Sequence, residues 1–133
     1  MSLHEEQGIQ MSNRYHVLCN GELIGTSGLE SRDVGMGTAI GQFTPTAAYQ
    51  RVRPVFRLFA EAQRDTGPAD KRMIADYYRS RDALALTLET EGGVVIPTTV
   101  VHIADFMAEI DETACEVEVH ISDPSFFEER GRS

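Results

Sequence analysis

One amphipathic run in the middle of the chain limits what it can fold into. At about 100° per residue, Tyr49, Val52, Val55, Phe56, Phe59 and Ala60 fall within a single apolar arc. The run therefore reads as a helix that must bury this face. Thr44 and Pro45 supply an N-cap and a first helical residue whose missing N–H would have no partner anyway. Pro54 lies inside the run, where it removes a backbone bond and presses on the carbonyl of Gln50, at about 3 kcal/mol if nothing relaxes. A kink or break is expected there.

The flanks read as sheet. Asn20-Gly21 tolerates both positive φ angles of a type I′ turn, so Tyr15 to Thr26 reads as a hairpin with Cys19 facing Glu22, Val17 facing Ile24 and Tyr15 facing Thr26. Residues 27–34 read as a loop, and Met36 to Phe43 as a third strand that Gly37 and Gly41 open to a bend or a close backbone contact. After the long helix, Gly67-Pro68 opens a shorter one carrying Met73, Ile74, Tyr77 and Tyr78. Leu84, Leu86 and Leu88 then alternate, Gly92-Gly93 offers a tight turn, and Cys115, Val117, Val119 and Ile121 alternate with Glu116, Glu118 and His120. A meander of these last strands would align Leu84, Val101 and Val117 in one row, Leu86, Thr99 and Val119 in the next, and Leu88, Pro97 and Ile121 in the third. The competing register has a tight turn at Asp111-Glu112 and sets Phe106 against Val117. Pro97 fits a central strand badly and implies a bulge or an edge.

The expected fold is α+β: an antiparallel sheet of about six strands, two hairpins among them, packed on one long, Pro-kinked helix and one shorter helix. At 133 residues one domain is expected, over 15–122. Residues 1–14 are expected to be a disordered N-terminal segment and 123–133 an acidic tail. Cys19 and Cys115 lie in strand-like runs and read as thiols rather than a disulfide framework. No apolar run approaches the ~20 residues of a membrane span. The first fourteen residues lack the apolar core of a signal peptide, so a cytoplasmic protein is expected.

The net charge of −9 argues against a nucleic-acid binder, which must neutralise phosphates with Lys and Arg. Charge is unevenly spread: residues 50–82 hold 8 basic and 5 acidic side chains, and residues 105–133 hold 2 basic and 9 acidic. Arg53, Arg57 and Arg64 share one helical edge, and guanidinium groups bind carboxylates or phosphates through paired donors. With Tyr49, Tyr77 and Tyr78 they form the candidate ligand-binding set. Their anion is either the chain's own acidic C-terminal segment or an external carboxylate or phosphate.

Other motifs carry less. Gly35-x-Gly37-x-x-x-Gly41 lacks the spacing and the helix start of a dinucleotide loop. Asp65-Thr66-Gly67 resembles the active-site triplet of retroviral-type aspartic proteases in three residues only. It follows a helical run, where a dry two-carboxylate site is not supplied. His102-x-x-Asp105 and His120-x-x-Asp123 have a ligand-like spacing, but the first register sets His102 opposite Glu116 and His120 opposite Thr98, about 13 Å apart at ~3.3 Å per residue. No metal, no cofactor and no catalytic constellation are therefore expected. The reading that follows is a non-enzymatic binding or protein-interaction module. The alternative is a domain or enzyme with a site for an anionic ligand. Expected partners are a second copy of the chain, and either a basic protein or a small anion.

Overall fold

The structure, a computed structural model, describes residues 14–64 and 68–127, without the side chains of 63, 64 and 68–70. The expected α+β fold is present, with its strands divided between two antiparallel sheets. Strands β1 (Tyr15–Cys19), β2 (Glu22–Ser27), β3 (Ser31–Asp33), β4 (Thr38–Gln42) and β5 (Thr44–Pro45) lead into a 3-10 helix, Ala47–Arg51. Helices α1 (Arg53–Arg64) and α2 (Pro68–Ala83) follow, and then β6 (Leu86–Thr90), β7 (Val95–Ile96), β8 (Thr98–Asp105) and β9 (Cys115–Ile121). One sheet runs β5-β2-β1-β6-β7 and the other β3-β4-β9-β8.

The first hairpin turns at Asn20 (φ 53°) and Gly21 (φ 83°), as a type I′ turn requires. Cys19 faces Glu22, but a bulge between Val17 and Leu18 sets Val17 against Gly25 and Tyr15 against Ser27, one residue beyond the expected partners. The 27–34 segment is not all loop, since Ser31–Asp33 pairs with β4. Gly41 of β4 lies against the turn that joins β2 to β3: a Cβ there would sit 2.7 Å from the Leu29 nitrogen.

The helical run divides where Pro54 demands it. A 3-10 helix ends at Arg51 and α1 starts at Arg53, so Pro54 occupies a first turn, where its missing N–H leaves no bond unmade. Thr44-Pro45 does not open a helix. It pairs with Gly25 and Thr26 as the edge strand β5, a position where a proline is tolerated. The second helix is the longer one, with 16 residues against 12.

The three-row meander is not formed. β6 pairs with β1 and β7, while β8 pairs with β9. Pro97 stands between β7 in one sheet and β8 in the other, so the chain changes sheets at the residue that cannot donate to a ladder. The observed register sets Val101 against Val119, Ile103 against Val117 and Asp105 against Cys115. This keeps the expected faces but shifts β9 by two residues.

The inner faces of both sheets and the helices share one core. Through it runs an aromatic row in which Phe43 meets Tyr49, Tyr49 stacks on Phe56 and Phe56 meets Tyr77, with ring centroids 5.4, 6.1 and 6.1 Å apart. Phe126 and Phe127 are also buried, and Phe126 lies 5.6 Å from Tyr15. The packed part thus runs past 122 into the segment expected as tail. Residues 1–13, 128–133 and the Asp65-Thr66-Gly67 triplet lie outside the described residues. Cys115 is fully buried, and Cys19 is half-buried with its thiol donating to the Leu84 carbonyl. No helix among the described residues is long and apolar enough to cross a membrane.

Candidate functional site

The arginine edge is met from inside the protein. Arg53 Nε donates to Asp105 Oδ2 at 2.8 Å, and the Tyr49 hydroxyl donates to the same oxygen at 2.7 Å. Arg57 donates to the Asp105 carbonyl at 2.7 Å and, through two nitrogens, to both oxygens of Glu109 at 2.8 and 2.6 Å. Asp105 is inward because it shares the parity of Val101 and Ile103 on β8. Burial acts to raise its carboxyl, but hydrogen bonds from Arg53, Tyr49 and the Met107 amide outweigh burial and hold it below its ordinary value. The partners of Arg53 and Arg57 are therefore the end of β8 and the loop after it. Tyr49 is fully buried. The side chain of Arg64 lies outside the described residues.

Tyr77 and Tyr78 belong to a different place. A cleft of about 420 Å³ is lined by Phe59, Tyr78, Arg81, Val100, His102, Glu118 and His120. Its floor is the outer face of β8 and β9, where inward Val101, Ile103, Val117 and Val119 leave Val100, His102, Glu118 and His120 facing outward. Its wall comes from Phe59 on α1 and from Tyr78 and Arg81, one turn apart on α2. Tyr77 is fully buried behind this wall, whereas Tyr78 is 47% exposed.

Burial pushes the Tyr77 hydroxyl well above its ordinary value, so it stays protonated, and it shares a hydrogen bond with His102 Nδ1. His102 falls to about 4, chiefly because burial disfavours its charged form; Glu118 opposes this, while Arg81 and His120 add to it. At neutral pH His102 is thus an uncharged ring. Phe59 meets the ring edge-on at 4.4 Å. The Arg81 guanidinium lies 5.0 Å from the Tyr78 ring centre and 5.6 Å from that of Tyr77. Its ion pair with Asp82 uses a single carboxylate oxygen, at 3.1 Å. His120 Nε2 and Glu118 Oε2 are 3.0 Å apart.

The register places the histidines differently from expectation. His102 faces Glu118 and His120 faces Val100, so the two rings lie diagonally on either side of Glu118, two residues apart along the sheet rather than four. No group of three or more metal-ligating side chains is assembled among the described residues. Arg81, His102, Glu118, His120 and Phe59 were absent from the expected ligand set. The signal for the strand residues was the alternation itself, and for Arg81 its position one turn beyond Tyr78. Compared with known proteins, the chain matches no family model, no curated protein and no solved structure.

Proposed function

We propose that the protein is a binding domain, and that the cleft between the helices and the outer face of β8–β9 takes a small ligand with an anionic group and a flat apolar part. The observation that carries this is Arg81. Its side chain is only 13% exposed and is braced on two tyrosine rings, and it borders a cleft whose other walls include Phe59 and Tyr78. A guanidinium braced in this way is pre-organised, so less side-chain entropy is lost when it meets a carboxylate or phosphate. Arg53 and Arg57, by contrast, hold the buried Asp105 and the largely shielded Glu109, whereas the Asp82 partner of Arg81 is an exposed carboxylate.

The test is a calorimetric and thermal-shift panel of benzoate, 3-phenylpropionate and phenyl phosphate. Binding should raise the melting temperature of the parent. Arg81→Gln should abolish the rise, and Tyr78→Ala should weaken it. A panel that stabilises parent and Arg81→Gln equally overturns the reading, as does a parent that binds neither these acids nor a carboxylate carrying an ammonium group as well.

A second reading, an interaction module formed by self-association, is favoured by another observation. Val34 and Met36 are 69% and 73% exposed. Beside them, Val34, Gly37, Ile121, Pro124 and Phe127 line an apolar depression of about 280 Å³. A projecting side chain next to a recess is the form a two-fold contact between copies uses. Sedimentation should then show a dimer that Met36→Lys returns to monomer; a parent that stays monomeric up to millimolar concentration excludes it.

A further inference from the structure

Arg81 is not the only charge in the cleft. Glu118 lines the same space, and among the described residues no lysine or arginine pairs with it. Its one recorded partner is His120, on Oε2. Oε1 has no hydrogen-bond partner among the described residues. Across the strands Glu118 faces His102, which is uncharged at neutral pH and cannot serve as its counter-ion. The wall and floor of the cleft thus carry opposite charges, Arg81 from α2 and Glu118 from β9, with the rings of Phe59 and Tyr78 beside them.

We infer, building on the ligand cleft proposed above, that its ligand is a zwitterion: a molecule with a carboxylate for Arg81, an ammonium group for Glu118 and an apolar or aromatic body, as in an aromatic amino acid. A ligand with only a negative group brings that charge into a space already occupied by the Glu118 carboxylate, and like charges in a partly dehydrated site oppose each other. A ligand with only a positive group meets the same opposition from Arg81. A molecule bearing both satisfies both ends, and its net neutrality suits a chain whose overall charge of −9 repels free anions at a distance. The volume, about 420 Å³, lies toward the lower end of the range for small-molecule pockets, roughly 300–1,000 Å³.

Three probes with one skeleton separate the cases: 3-phenylpropionate has the acid alone, 2-phenylethylamine the amine alone, and phenylalanine both. Titration calorimetry on the full chain should find phenylalanine bound about tenfold or more tightly than either half-probe. Glu118→Gln should remove that advantage while leaving 3-phenylpropionate unchanged or tighter. Arg81→Gln should bring phenylalanine down to the level of the amine. The melting temperatures of the unliganded variants establish that each is folded. If 3-phenylpropionate binds as well as phenylalanine and is lost in Arg81→Gln, the zwitterion inference falls and the anion cleft stands. If no probe of either panel binds, both fall.

Discussion

Arg53 Nε and Asp105 Oδ2 are 2.8 Å apart, and the carboxylate of that pair is fully buried at the end of β8. Tyr49 and the Met107 amide complete its hydrogen bonds. Removing the acid leaves Arg53 and a buried tyrosine hydroxyl without their acceptor, so Asp105→Ala should cost about 3–5 kcal/mol. Urea denaturation measures it. Arg53→Ala should also destabilise, because a buried charge then stands unpaired. A double-mutant cycle should return a coupling well above the ~1 kcal/mol ceiling of exposed pairs. A variant lacking both Arg53 and Arg57 that melts like the parent would refute the internal pairing.

Acid should destabilise the fold in two stages. His102 falls from an ordinary 6.5 to about 4, so the unfolded chain takes up its proton first. The stability linked to the neutral ring is complete above pH 6.5 and is lost as pH falls toward 4, by up to about 3 kcal/mol. Asp105, held below its ordinary 3.8, adds a second loss in the same direction at lower pH. Unfolding free energy against pH should therefore slope between 6.5 and 4 in the parent and flatten there in His102→Gln.

Phe56 and Phe59, both expected in the core, should respond differently. Phe56 is fully buried within the aromatic row, and Phe56→Ala should cost about 3–5 kcal/mol. Phe59 is only partly buried, against Tyr77 and His102 at the cleft. Its truncation should cost less and should weaken whatever the cleft holds. Equal losses of stability for the two variants would contradict this division.

Gly41→Ala should cost about 1–3 kcal/mol, because its new Cβ meets not only the Glu30 and Ser27 side chains, each at 2.5 Å, but also the Leu29 backbone nitrogen at 2.7 Å, which cannot swing aside. Gly92→Ala is the control, since the nearest atom there is Thr90 Oγ1 at 3.9 Å. Its melting temperature should stay near that of the parent.

What was legible in the sequence is what is local. Asn20-Gly21, the alternation through β9 and the apolar arc of α1 each encode their own geometry within a few residues. The pairing of β1 with β6 depends on which sheet edge is open after the helices pack, and no short pattern carries that. The β8–β9 register missed by two residues because the connecting loop, of the assumed length, sits one residue later along the chain: Phe106 bonds to Ala114, so the loop spans 107–113. For the site, the arginine edge was visible as a charge group opposite the acidic residues 105–133, but which acids meet it was not. Asp105 reads as one more acidic residue until its parity with Ile103 turns it inward. Tyr78, grouped in the sequence with Arg53 and Arg57, lines a cleft with Arg81 instead, since helical spacing alone cannot say which edge of α2 meets the sheet.

The change of sheet at Pro97 bears on how the protein is made. During synthesis β1–β4 emerge first, yet only their two hairpins can close at once. β1 also needs β6, and β4 needs β9, both made after the helices. Contacts so distant along the chain form slowly. The nascent chain must therefore carry the apolar faces of Val17, Ile24 and Ala39 uncovered until its last third has left the ribosome. The stretch on either side of Pro97 then closes both sheets at nearly the same moment.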